Sequence, residues 1–227
     1  MTCDFIDALE VMRVTRVDAC GKPIAGPNAF VTNCLSSINM TNVTQDQDDK
    51  VYTAANGQTC AIRRGCRTLL GYDLEINSMP ISPELMEILT GNAGYLDANG
   101  DLVGVDSCAD IPCKAGFALE FWASIIGSDT CDAQGTQRYL YVLLPWITNG
   151  LMADIEFGTD AVIPQFTGST RAGGQWGTGP FNVVQNATNV PDKMTTALAA
   201  TCHRRILITT TPPPAASCDF VTVPAIP

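Results

Sequence analysis

Several stretches of this chain place apolar residues at every second position, the pattern of a strand whose side chains alternate between two faces. "LLGYDLEINS" (69–78) sets Leu70, Tyr72, Leu74 and Ile76 against Asp73 and Glu75. "LMADIEF" (151–157) sets Leu151, Ala153, Ile155 and Phe157 against Met152, Asp154 and Glu156. "GFALEFWASII" (116–126) alternates Phe117, Leu119 and Phe121 with Ala118, Glu120 and Trp122. "RYLYVLLPW" (138–146) is apolar on both faces, as a central buried strand is. "RRILITTT" (204–211) and "CDFVTV" (218–223) supply two more strands. Against these stands one well-signalled helix, about 83–90 in "ISPELMEILTGN". Ser82 is its N-cap, Pro83 its first residue, Glu84 and Glu87 suit the dipole, and Gly91 is the left-handed stop. Leu85, Met86, Ile88 and Leu89 form its buried side, and a second short helix is predicted around "PDKMTTALAA" (191–200). Strand–helix alternation is absent, so the fold class is mainly β, with one well-signalled helix.

Asn-Gly at 56–57, 99–100 and 149–150 predicts hairpins closed by type I′ turns. The second pair lies in "YLDANGDLVGVD" (95–106), where Asp97, Asn99 and Asp101 open like a calcium loop. The sixth position, Leu102, should then be Gly and the twelfth, Cys108, should be Glu. Both diagnostic positions fail, so these residues read as a solvated turn. "TGSTRAGGQWGTGPFN" and "TPPPAAS" read as loops, and the chain, 1–227, reads as one domain with a Pro-rich C-terminal segment from about 211.

Apolar residues make up 46% and charged residues 16%, with 13 Lys+Arg against 23 Asp+Glu and a formal net charge of −10. Such a chain repels nucleic acid and anionic membrane on average, which argues against ordinary DNA binding. No stretch approaches the roughly 18 apolar residues of a membrane helix. The start, "MTCDFIDALEVMRV", has no basic region followed by an apolar run, so no secretory signal is expected. The ten cysteines contain no Cys-x-x-Cys and the chain has a single histidine, so no zinc site or other metal or cofactor is expected. The cysteines read as small apolar core residues. "TCDF" and "SCDF" put Cys3 and Cys218 in similar contexts, either a chance echo or a sign of paired or adjacent strands, in which case they are the candidate disulfide.

Residues 36 to 67 are polar, acidic early (Asp46, Asp48, Asp49) and basic late (Arg63, Arg64, Arg67). They read either as a solvated hairpin or as an extended arm, ordered on assembly, whose opposite charges meet neighbouring subunits. No enzyme motif is found: there is no G-x-S-x-G, Walker loop or Rossmann fingerprint. Cys202 and His203, adjacent in a predicted strand, would point to opposite faces. No catalytic residue is assigned.

Taken in order, "PELMEILTG" (83–91), "LDANGDLVG", "FALEFWA" (117–123), "YVLLPW" (141–146) and "GQWGTGP" (174–180) resemble the major tail tube proteins of long-tailed bacteriophages, most closely the larger ones infecting actinobacteria. With the charged arm, the resemblance covers roughly residues 8 to 185. It implies a β-sandwich with a flanking helix whose sheets join, six copies at a time, into rings. The rings would stack into a tube for genome passage and meet other tail proteins at the tube ends. The protein would be found in the virion, after assembly in the host cytoplasm, without contact to membrane.

A lining that carries DNA past without binding it should be polar and poor in Lys and Arg. On the alternating strands, Asp73 and Glu75, and Asp154 and Glu156, lie opposite the core and are the lumen-facing candidates. Three other readings remain open. One is a tail terminator or head–tail connector. A second, from a different class, is a secreted, disulfide-stapled β-domain binding carbohydrate or a receptor through Trp122, Trp146 and Trp176. The third is a hydrolase using Cys202 and His203.

Overall fold

The computed structural model describes residues 5–78, 81–107, 116–127, 130–132, 135–155 and 162–225. Its strands are β1 (Phe5–Val17), β2 (Gly26–Thr32), β3 (Leu35–Asp46), β4 (Lys50–Thr53), β5 (Thr59–Arg63) and β6 (Arg67–Ser78). After α1 (Pro83–Thr90) come β7 (Gly94–Leu96), β8 (Leu102–Val105), β9 (Gly116–Ile126), β10 (Tyr139–Met152), β11 (Gln165–Thr170), β12 (Val184–Gln185), β13 (Pro191–Asp192), β14 (Arg205–Thr209) and β15 (Val221–Val223). The chain is mainly β, as the alternation requires.

One antiparallel nine-stranded sheet runs β15-β2-β1-β9-β10-β11-β6-β3, with β14 also paired to β10. β10 is long enough to pair with β14 through its first half (Tyr139–Leu143) and with β11 through its second (Ile147–Met152). The two-residue repeat gives this sheet two buried faces. Met12, Val14, Phe117, Leu119, Phe121, Val142 and Leu144 point into one core, which Leu74 and Ile76 of β6 and Leu85, Ile88 and Leu89 of α1 complete. The sheet therefore curls around this core, with α1 covering it, without closing into a barrel. On the other face Val11, Ala118, Trp122, Tyr141 and Leu143 pack beneath Trp176, Val183 and Met194 from the segment before β14.

α1 carries the predicted ends. Ser82 Oγ accepts from Leu85 N at 3.5 Å, and Gly91, at φ 69°, turns the chain out while its N–H donates to Glu87 O. An ion pair from Arg16 to Glu87, 2.9 Å, ties α1 to β1.

Other expectations are corrected. The Asn-Gly pairs at 56–57 and 99–100 do close hairpins, but in longer loops where only Gly57 (φ 84°) and Gly100 (φ 90°) are left-handed. Loop bonds from Gly57 N to Ala54 O and from Gly100 N to Asp97 O make each a turn followed by a left-handed glycine rather than type I′. Asn149-Gly150 closes no hairpin. Asn149 (φ 59°) sits inside β10, where the register to β11 slips between Thr148 and Leu151: it is a bulge. β10 ends at Met152, so 153–155 are not strand; past the bulge Leu151 pairs with Thr167 and is 44% exposed, and Met152 is the residue that packs on the core. Leu70 is likewise exposed, because the β3–β6 ladder shifts between Val43 and Thr44 opposite Gly71 and the strand beyond it leaves the body. β11 occupies the start of the Gly-rich stretch read as loop, since Phe166, Gly168 and Thr170 alternate inward there. No helix forms at 191–200: β13 opens it, and the Arg205 guanidinium takes the Thr196 and Ala197 carbonyls. Seven cysteines are described (Cys20, Cys34, Cys60, Cys66, Cys131, Cys202 and Cys218), and all are free and exposed, not core residues.

Candidate functional site

The two carboxylates of β6 stand in a ladder of polar residues. β6 lies between β11 and β3, and the register sets three rows across the strands: Gln165, Asn77 and Ser37; Thr167, Glu75 and Asn39; Ser169, Asp73 and Thr41. Asp73 and Glu75 are exposed while Tyr72, Leu74 and Ile76 between them are buried, so this face is the one opposite the core. Ser169 Oγ donates to Asp73 Oδ1 at 2.7 Å, and Asn39 Nδ2 approaches Glu75 Oε2 at 3.5 Å. Nine side chains thus form a face with two carboxylates, seven neutral polar groups and neither Lys nor Arg. Asp154 is exposed but lies past the end of β10 and joins none of these rows, and Glu156 lies outside the described residues.

β3 is also the end of the sheet, and along its twelve residues no described strand pairs with its outer side. An open edge of that length is a template for another strand. Beyond β3 and β6 the same two legs continue as a ribbon, through Gln47 N donating to Cys66 O, into the β4–β5 hairpin. The ribbon is what the sequence marks as an arm, and it is already paired within the single chain.

Its charges meet each other. Arg67 Nε and Nη2 donate to the two Asp46 oxygens at 2.7 and 3.3 Å, and this hydrogen-bonded guanidinium holds the Asp46 carboxyl below its usual range. Asp49 Oδ1 accepts from Gly65 N at 2.7 Å, with Arg64 at 4.0 Å from its other oxygen. Asp48, Arg63 and Arg64 are exposed along the same ribbon. Every residue of β4 and β5 is exposed, including Val51, Tyr52 and Ile62.

A buried polar cluster under the second core escaped the sequence reading. Arg13 and Glu120 are direct cross-strand neighbours on β1 and β9. The guanidinium donates to both Glu120 oxygens at 2.6 Å, and Tyr141 Oη donates to Oε1 at 2.7 Å. Arg13 stacks 3.5 Å from the Phe181 ring centroid and 5.2 Å from that of Trp122. Burial, and then the Glu120 charge, raises the Tyr141 phenol well above its ordinary value. The carboxylate is fully used by its partners, so the arrangement fastens the 171–204 segment to the sheet rather than presenting an acid or base. The available signal was a Glu and an Arg at the centre of strands apolar on both faces.

The remaining candidates are accounted for locally. Asp97 accepts from Asn99 N at 2.8 Å and Asp101 N at 2.9 Å, and those backbone bonds lower its carboxyl pKa; the loop satisfies its own acid. Cys202 and His203 precede β14, outside any strand, and His203 Nδ1 lies 3.1 Å from Thr170 Oγ1, which also accepts from Tyr72 N. Desolvation lowers the His203 pKa. Trp122 and Trp176 are 1% exposed, so the three tryptophans make no sugar platform. Cys3, half of the candidate disulfide, lies outside the described residues. No protein-family model matches the chain, and no curated protein matches it.

Proposed function

We propose that this chain is a structural virion protein, the subunit of a phage tail tube, assembling as hexameric rings that stack around a polar lumen through which DNA passes. The observation that carries the reading is the polar face of β11, β6 and β3, its nine side chains free of Lys and Arg and ending at a twelve-residue edge that no described strand pairs. A monomer gains nothing from a long unpaired edge, whereas a ring of like copies covers it. A lining of carboxylates and neutral polar groups leaves a polyanion hydrated and mobile, because it releases no counterions on contact. The exposed ribbon supplies a surface for the next ring: Val51 and Ile62, cross-strand neighbours, are bare apolar groups on a two-stranded hairpin that is marginal in water by itself. Other tail proteins would bind the tube ends, and no catalytic role is proposed.

The test is charge reversal on the face. Asp73→Lys with Glu75→Lys leaves the core untouched, so assembly should persist. The assembled variant should bind duplex DNA with an affinity that falls steeply between about 50 and 200 mM salt, where the parent does not bind. DNA bound to the variant should be sheltered from nuclease inside the tube; DNA that binds yet stays fully digestible would contradict the placement of this face in the bore, because lysines on an outer wall hold DNA in the open.

A further inference from the structure

We propose that Cys34 and Cys218 are an oxidisable pair whose disulfide joins the two ends of the nine-stranded sheet. The path through that sheet begins at β15 and ends at β3. Cys218 stands just before β15, and Cys34 stands immediately before β3. Both line one cavity of about 420 Å³, together with Phe30 and Thr32 on one side and Ser82 and Pro83 of the α1 start on another. The segment of Cys218 is fastened to β2, the strand that leads into Cys34. Val221 pairs with Ala29, and farther along the same antiparallel run Ser217 N donates to Val31 O at 3.0 Å. That bond holds the residue next to Cys218 against β2, three positions before Cys34.

Both thiols are exposed, so an oxidant can reach them, and both sit in irregular backbone outside any strand. Such backbone can adjust to the Cα separation of about 4.4–6.8 Å that a disulfide needs. The ribbon offers no comparable pair. Cys60 and Cys66 lie six residues apart on one leg, which the opposite leg keeps in step from Arg63↔Lys50 to Arg67↔Asp46. At about 3.3 Å per strand residue they are well beyond bonding reach.

The chemistry balances with glutathione disulfide as oxidant. One cysteine thiolate attacks it, releasing one glutathione and leaving a mixed disulfide. The second thiolate attacks that sulfur and releases the other glutathione. Two protein thiols lose two electrons and two protons, and one glutathione disulfide becomes two thiols. The chain would thus fold with free thiols in a reducing medium and be stapled across its open seam in an oxidising one. This inference is independent of the tail-tube reading, and it replaces Cys3 with Cys34 as the partner of Cys218.

The experiment uses the intact protein, equilibrated with glutathione disulfide, alkylated, and digested with chymotrypsin, which cuts after Phe30 and Leu35 and so separates Cys34 from Cys20. The expected result is a linked peptide pair carrying Cys34 and Cys218, lighter by two hydrogens than the separate peptides. It should be lost on reduction and absent from Cys34→Ser and Cys218→Ser. Mixing isotopically light and heavy protein before oxidation should give no light–heavy linked pairs. Both thiols alkylated after oxidation, Cys218 linked to Cys3, or linkage between chains would each overturn the proposal.

Discussion

Replacing Glu120 by Gln keeps the shape of the side chain and removes its charge, which leaves the Arg13 guanidinium 95% buried without a counterion. Breaking a buried pair from one side costs about 3–5 kcal/mol, because the remaining charge is neither solvated nor matched. The Phe181 ring 3.5 Å from Arg13 is present in parent and variant alike and so offsets none of this loss. For a domain of this size a loss of about 3–5 kcal/mol lowers Tm by roughly 6–20 °C. Urea unfolding followed by tryptophan fluorescence reads it directly, since Trp122 lies against the cluster: the midpoint should fall with the slope unchanged. Arg13→Met with Glu120→Leu and Tyr141→Phe removes both charges and the orphaned hydroxyl together. It should return stability to within about 1 kcal/mol of the parent, because apolar groups of similar volume replace buried ion pairs at little cost. A Glu120→Gln variant within about 0.5 kcal/mol of the parent, or a triple variant as unstable as the single one, would refute the claim that desolvation dominates at this site.

Gly150→Ala should destabilise by several kcal/mol, since its Cβ would fall 1.7 Å from Leu89 O and push α1 off the core; a thermal melt unchanged from the parent would contradict that packing. Stability should decline as pH falls through the histidine range near 6.5. The His203 pKa is lowered in the fold, so the unfolded chain takes up the proton first. His203→Asn should flatten this decline as pH falls through and below 6.5, whereas the lowered carboxyls of Asp46 and Asp97 begin to matter only as pH approaches 3.8. Replacing residues 48–64 with a two-residue Asn-Gly turn should leave the core melt unchanged, because β4 and β5 are exposed throughout, while abolishing stacking of rings as seen by sedimentation.

The central strands were legible because burial on both faces leaves a plain record: alternate residues of 117–122 enter two different cores, and both sets are apolar or aromatic except Glu120. α1 was legible because its signals are local, a cap, a proline and a glycine within ten residues. Asn149-Gly150 misled because the same left-handed preference that makes a hairpin turn also makes a bulge, and only the long pairing of β10 with two partners distinguishes them. Two of the nine residues of the polar face, Asp73 and Glu75, could be read. Six of the others come from β3 and β11, whose places depend on register with residues tens of positions away. Cysteine type suggested burial, but the described cysteines lie in loops and on the ribbon, where no core is available to take them.

Self-assembly into a hollow ring is tested most directly by electron microscopy of the purified protein. The expected images show six-fold rings, or tubes built of them, with an open lumen lined by the Asp73–Glu75 face and the β3 edge of each copy covered by its neighbour. A monodisperse monomer at high concentration, or an assembly with that face turned to the outside and arginines lining the bore, would contradict this arrangement.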